Sequence, residues 1–178
     1  PELLKRADKF LFMPDLLNYL LTDVKKSEYT IASTSQMLNP YERSWDKELL
    51  ETVGIPTNIL CDIIKPGTVL GNVTEDICTE LGIESAKVVA VGGHDTASAV
   101  AACSVGDNGI YISSGTWSLI GTENTEPVTC EKAMNNGFTN EGGVDYRYRF
   151  LENIMGMWLL QNIRKNLDKK YTYDEMMQ

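Results

Sequence analysis

Residues 88–102, Val88-Val89-Ala90-Val91-Gly92-Gly93-His94-Asp95-Thr96-Ala97-Ser98-Ala99-Val100-Ala101-Ala102, constrain the fold more than any other stretch. They read as a buried strand, a glycine turn and a helix of small residues. The turn carries the only histidine of the sequence, next to an aspartate. A strand that passes into a helix leaves unpaired N–H groups at the helix start. It also opens a crevice at the strand's carboxyl end, where ligands bind. Asp95 has two readings there. It caps the helix, the commoner use of an aspartate in that place, or it projects into the crevice as a binding or catalytic carboxylate.

The chain around this joint alternates helices with short strands, which predicts an α/β architecture. Pro14 opens a helix whose apolar face is Leu16, Leu17, Leu20 and Leu21. Residues 27–38 have ambiguous periodicity. Ser44 is placed to cap a helix over residues 45–53, with Leu49, Leu50 and Val53 inward and Gly54 and Pro56 ending it. Lys65-Pro66-Gly67-Thr68 is a turn, and residues 69–73 read as a strand interrupted at Gly71. Thr74, Glu75 and Asp76 start a helix that Gly82 ends. Residues 105–109 form a loop and a domain boundary. Residues 110–112 and 118–120 flank Ser113-Ser114-Gly115-Thr116-Trp117 as a tight hairpin. Residues 147–150 alternate as a strand. Residues 153–167 fit a helix with a broad buried face that includes Ile154, Trp158 and Ile163.

Charge and composition exclude several classes. A net charge of −9 argues against a nucleic-acid surface, yet backbone donors still allow a small anion such as ATP. No apolar run is long enough for a membrane span. Four separated cysteines with no CxxC pair, and one histidine, argue against a zinc site by spacing. They point to reduced, mostly buried thiols in a cytoplasmic protein.

Three further segments bear on chemistry. Ser113-Ser114-Gly115-Thr116 puts small residues and hydroxyls at a hairpin tip, which suits either a phosphate contact or an ordinary turn. His94 and Asp95 are adjacent, and neighbours in sequence seldom face each other. No nucleophile elbow completes a triad, so His94 is a ligand-binding residue or a satisfied buried histidine. Asn140-Glu141-Gly142-Gly143 reads as a polar loop, and Met155-Gly156-Met157-Trp158 as packing.

Several segments together carry a resemblance. They are Met13-Pro14-Asp15-Leu16, Glu28-Tyr29-Thr30, Trp45-Asp46, His94-Asp95-Thr96-Ala97-Ser98, Ser113-Ser114-Gly115-Thr116-Trp117, Thr139-Asn140-Glu141-Gly142-Gly143, Arg147-Tyr148-Arg149 and Asn153-Ile154-Met155-Gly156-Met157-Trp158-Leu159-Leu160-Gln161. Over residues 10–164 the sequence resembles the FGGY carbohydrate kinases. The resemblance implies two ribonuclease-H-like, actin-type ATPase domains closing around sugar and ATP. Residues 1–104 would be the end of the first, sugar-side domain, and residues 105–178 the start of the second, ATP-side domain. A phosphate-contacting hairpin would precede Pro1, and a glycine-rich adenine segment would follow Gln178.

The resemblance also assigns roles. Asp95 matches the general base and touches the sugar hydroxyl. His94, Thr96 and Asn153 match sugar-binding positions. Gly115 and Thr116 match phosphate contacts, and Gln161 an ATP-binding position. Mg²⁺ would bridge phosphate oxygens, with no ligand identified in this chain. The implied reaction is phosphorylation of a ketose by ATP, with L-rhamnulose at its C1 hydroxyl the foremost substrate. L-fuculose is the close alternative, and a non-catalytic sugar- or nucleotide-binding protein on the same fold is the alternative of a different class.

Overall fold

The structure, a computed structural model, describes residues 2–103, 106, 109–115 and 117–177. In chain order the first half gives α1 (Glu2–Arg6), α2 (Met13–Thr22), β1 (Ser27–Glu28), α3 (Tyr29–Ser33), β2 (Leu38–Asn39), β3 (Ser44–Trp45) and α4 (Lys47–Thr52). It continues through β4 (Ile63–Ile64), β5 (Thr68–Asn72), α5 (Glu75–Leu81), β6 (Lys87–Ala90) and α6 (Asp95–Ala102). The second half gives β7 (Tyr111–Ser114), β8 (Trp117–Asn124), α7 (Glu131–Asn135), β9 (Thr139–Gly142), β10 (Tyr148–Met155), α8 (Met157–Asn166) and α9 (Tyr173–Met176).

Among the described residues the first half pairs its strands in twos: β1 with β4 in parallel, and β2–β3 and β5–β6 antiparallel. The second half is one antiparallel sheet in the order β7-β8-β10-β9. The strand–turn–helix at residues 87–102 and the hairpin around Gly115 form as the sequence predicts. The interruption at Gly71 is real: the β5–β6 register shifts between Val69 and Gly71. Of the predicted boundary loop, residues 105, 107 and 108 lie outside the described residues.

Several local expectations are corrected. β10 runs on to Met155, because β8 pairs with it over eight residues. The helix therefore starts at Met157 rather than near Asn153. Gly115 C=O takes the Met157 N–H at 3.0 Å and seats that helix on the hairpin tip. α4 is capped by Asp46, whose carboxylate accepts the Leu49 N–H at 3.0 Å, while Ser44 is used in a strand. Only Leu50 of the three inward leucine and valine positions is buried.

The apolar faces of α2 and α8 are also open. Leu17 is 57% exposed and Trp158 45%, and α8 buries no residue. β6 is partly exposed, with only Ala90 buried. The total accessible surface is 11787 Å², against about 8,700 Å² for a compact chain of this mass. Periodicity names these apolar faces, but the burial expected of them fails, because among the described residues nothing covers them. All four cysteines are free, with Cys61 buried, Cys78 half-buried and Cys103 and Cys130 exposed, so burial holds for fewer thiols than expected. Among the described residues no helix is long and apolar enough to cross a membrane.

The core lies where α6 meets the sheet. Val100, Tyr111 and Leu151 are buried together, with Leu119 packed against them. Gly121 makes that approach possible. A Cβ there would stand 2.6 Å from the Phe150 carbonyl oxygen and 2.7 Å from the Leu151 Cβ. Gly121→Ala is therefore expected to destabilise the fold by about 1–3 kcal/mol through overpacking. Urea unfolding checks it, and an unchanged midpoint would mean the strands separate freely at that point.

Candidate active site

The glycine turn is held from behind by one buried carboxylate. Glu28, 1% exposed, stands before α3 as its N-cap and accepts the Thr30 N–H at 2.8 Å and the Ile31 N–H at 3.3 Å. Its Oε2 also accepts the Gly93 N–H at 2.8 Å and the Thr30 hydroxyl at 2.6 Å. The Thr30 oxygen in turn accepts the His94 N–H at 3.1 Å. Two successive amides of the turn thus end on Glu28 and Thr30 at the start of α3. Glycine at position 93 leaves room for this carboxylate: a Cβ there would lie only 3.1 Å from the Glu28 Oε2.

This anchoring aims Asp95 outward. His94 takes the N-cap position of α6. The Asp95 Oδ1 accepts the Thr96 N–H at 2.7 Å and faces the Thr96 hydroxyl at 3.3 Å. The Asp95 side chain is 97% exposed, which leaves Oδ2 open to a ligand. His94, Asp95 and Thr96 thus lie together at the start of α6. The His94 Nε2 lies 3.7 Å from Asp95 Oδ1.

The imidazole reaches the second half of the chain through its other nitrogen. His94 Nδ1 is 2.7 Å from Arg149 Nη2. Arg149 is fully buried, donates to Glu141 Oε2 at 2.8 Å and gives its Nε–H to the Gly142 carbonyl at 3.2 Å. Burial and then the Arg149 charge hold the His94 pKa below its usual value, against the opposing pull of Glu141, Asp95 and Glu28. The ring is neutral at pH 7.

A second buried acid supports this cluster. Asp15, 2% exposed, accepts the Glu28 N–H at 3.0 Å through Oδ1, and its Oδ2 has no partner among the described residues. Burial, reinforced by the nearby Glu28, pushes its pKa up to about 7. The folded value exceeds the unfolded one. Stability is therefore fully present below about pH 4 and is lost as pH rises towards 7. The full penalty is about 4 kcal/mol, at 1.36 kcal/mol per pKa unit. Relative to wild type, Asp15→Asn is expected to gain about 2–3 kcal/mol between pH 5 and pH 8. The opposite contribution of His94 is present in both proteins and cancels in that difference. A constant difference across this range would show that Asp15 is ionised throughout.

The predicted phosphate and nucleotide residues sit elsewhere on the sheet. Gly115 forms the tip of the β7–β8 hairpin, with its N–H on the Trp117 carbonyl at 2.9 Å. Thr116 lies outside the described residues. Gln161 is exposed on α8. Asn153 is exposed on β10, paired with Leu119, and makes no side-chain hydrogen bond to the His94 group. The Gly115 tip adjoins the Met155 end of β10, six residues or about 20 Å along the strand from Arg149. Among the described residues no contact joins Gly115 to Asp95. No group of three or more His, Cys, Asp or Glu side chains placed to hold a metal ion forms among the described residues.

Comparison with known proteins decides the family. Residues 1–102 match the N-terminal domain of the FGGY family of carbohydrate kinases, and residues 110–178 its C-terminal domain. This chain belongs to the FGGY family of carbohydrate kinases. A rhamnulokinase of Oceanobacillus iheyensis is 47% identical over 173 residues, covering 97% of this chain and 37% of that protein. A rhamnulokinase of Halalkalibacterium halodurans is 41% identical, covering 100% of this chain and 38% of that protein. The chain thus spans just over a third of the length of these relatives. A ligand-bound xylulose kinase from Lactobacillus acidophilus superposes with a TM-score of 0.85 at 20% identity, over 99% of this chain and 36% of that one. That likeness places the chain in the sugar-kinase, actin-like ATPase fold.

In this FGGY chain the sequence pattern singled out the exposed face of the turn and missed what holds it. Glu28, Thr30, Glu141 and Arg149 were visible as matching residues without roles. One signal was available for Glu28: an acid followed by Thr30 and Ile31 at the start of an apolar helix is placed to cap it.

Proposed function

We propose that this chain carries the sugar-side base and part of the phosphate-side surface of an ATP-dependent kinase for L-rhamnulose. The observation that carries the proposal is the open carboxylate of Asp95, 97% exposed, on a turn whose amides are fixed by Glu28 and Thr30. The rhamnulokinase relatives support the choice of sugar.

The chemistry follows from that placement. The C1 hydroxyl oxygen of the ketose attacks the γ-phosphorus of ATP, and the bond to the ADP oxygen breaks. The hydroxyl proton passes to Asp95 Oδ2. The transition state is loose, so the proton leaves late and Asp95 acts chiefly by orienting the hydroxyl. His94 and Thr96 bind other sugar oxygens, with Asn153 joining them on closure. Gly115, Thr116 and Gln161 serve the nucleotide. Residues 1–104 and 105–178 are the two sides that close and exclude water, a division supported by the family matches to residues 1–102 and 110–178. Mg²⁺ would supply charge neutralisation at the transferring phosphate, and no residue of this chain is assigned to it. Free thiols agree with a cytoplasmic enzyme.

The test is ADP release by the intact protein with L-rhamnulose, L-fuculose, L-ribulose and D-xylulose. The highest kcat/KM is expected with L-rhamnulose. A preference for another ketose overturns the substrate while keeping the kinase. No sugar-dependent release overturns the kinase in favour of a binding protein.

A further inference from the structure

We infer that Arg149 is a positioning residue that fixes His94 as its Nε2–H tautomer, so that the imidazole offers a fixed donor beside Asp95. The argument begins with what a guanidinium can do. It has N–H groups to give and no acceptor. Its Nη2 carries two hydrogens, and the structure gives Nη2 two partners: Glu141 Oε2 at 2.8 Å and His94 Nδ1 at 2.7 Å. A ring nitrogen at that distance from a pure donor must accept. Nδ1 is therefore bare, and the single proton of the neutral ring sits on Nε2.

The sheet builds this device. Arg149 and Glu141 are direct cross-strand partners on β10 and β9, and the Gly142 carbonyl holds Nε from the same strand. The guanidinium is fully buried. Glu141 neutralises it and would otherwise act on the ring itself, since its Oε2 lies 3.6 Å from Nδ1. An acceptor there favours a proton on Nδ1. Arg149 prevents that by occupying both.

The consequence rests on the kinase reading. With the proton on Nε2, the turn presents one donor and one acceptor, His94 Nε2–H and the Asp95 carboxylate. A sugar can accept from the first through one oxygen while a hydroxyl donates to the second. With the proton on Nδ1 both groups would be acceptors, and the sugar would lose the imidazole donor. A site built to hydrogen-bond a substrate oxygen discriminates strongly when the bond fails.

The tautomer can be read without activity. Histidine-selective ¹⁵N labelling of the intact protein at pH 8 gives long-range ¹⁵N–¹H patterns, with the His94 signal assigned by its loss in His94→Gln. Wild type is expected to show a bare Nδ1 and a protonated Nε2. Arg149→Met is expected to invert the pattern, because Glu141 then draws the proton to Nδ1. Glu141→Gln keeps the guanidinium–imidazole bond and is expected to leave the pattern unchanged. In ADP-release assays Arg149→Met is expected to raise the ketose KM about tenfold to a hundredfold, the loss of about one good hydrogen bond, with the ATP KM unmoved.

A protonated Nδ1 in wild type overturns the inference, whether or not the Arg149 variant folds. So does a folded Arg149→Met protein with the wild-type pattern, or inversion in Glu141→Gln. If the patterns come out as expected but no ketose is phosphorylated, the tautomer stands and the kinase reading falls.

Discussion

Asp95→Asn is expected to lower kcat of the intact protein by about 10²–10⁴-fold, the usual contribution of a positioned general base. The substitution is informative because so little else depends on the carboxylate. The side chain is 97% exposed; among the described residues it hydrogen-bonds to its neighbour Thr96, through Oδ1, which also stands 3.7 Å from His94 Nε2. Asn retains that oxygen and loses only the basic Oδ2. Stability should therefore move by less than about 0.5 kcal/mol, as for other surface changes. The ketose KM should change little, since the amide NH₂ that replaces Oδ2 can donate to the oxygen of the same sugar hydroxyl. A kcat within about threefold of wild type, outside the range for losing a general base, would remove Asp95 from the role. A fall in kcat matched by a large loss of stability would mean that the carboxylate holds the turn instead.

The two faces of the turn differ in how far the sequence exposes them. The outward face, His94-Asp95-Thr96, is local: strand pattern, glycines and small-residue helix lie within 15 consecutive positions. Periodicity and turn chemistry suffice for it. The inward face is built from pairs far apart in the chain. Gly93 meets Glu28 across 65 positions, and His94 meets Arg149 across 55. No spacing rule reaches that far, so buried acids such as Asp15 and Glu28 read as ordinary polar residues. The helix expected from Asn153 failed for a related reason. Its apolar spacing suits a helix, but pairing with β8 through Met155 prevails over local pattern. Exposed leucines on α2 show the limit from the other side, since a pattern can name an apolar face without supplying what covers it.

Glu28→Ala is expected to be the most damaging change at the site, costing about 3–5 kcal/mol of stability. The figure follows from what the carboxylate leaves behind. The Gly93 and Thr30 amides lose a charge-assisted acceptor in a buried place, and each orphaned donor costs about 1–3 kcal/mol. Relief from burying a charge offsets part of this. The Thr30 hydroxyl loses its acceptor at 2.6 Å and becomes free to turn away from the His94 amide. Glu28→Gln should fall between wild type and Ala. Its remaining oxygen can serve either the Thr30 side or the Gly93 side, but its NH₂ must then face a donor on the other. Urea unfolding gives the stability, and amide exchange at Gly93 and His94 shows whether the turn opens locally before the whole fold does. Activity should fall in the same order as turn protection, Gln before Ala, because Asp95 can orient a hydroxyl only while its backbone is fixed. A Glu28→Ala protein that keeps Gly93 protected and loses under about 1 kcal/mol, below the cost of one orphaned donor, would show that α3 and the β1–β4 pair hold the turn without this carboxylate.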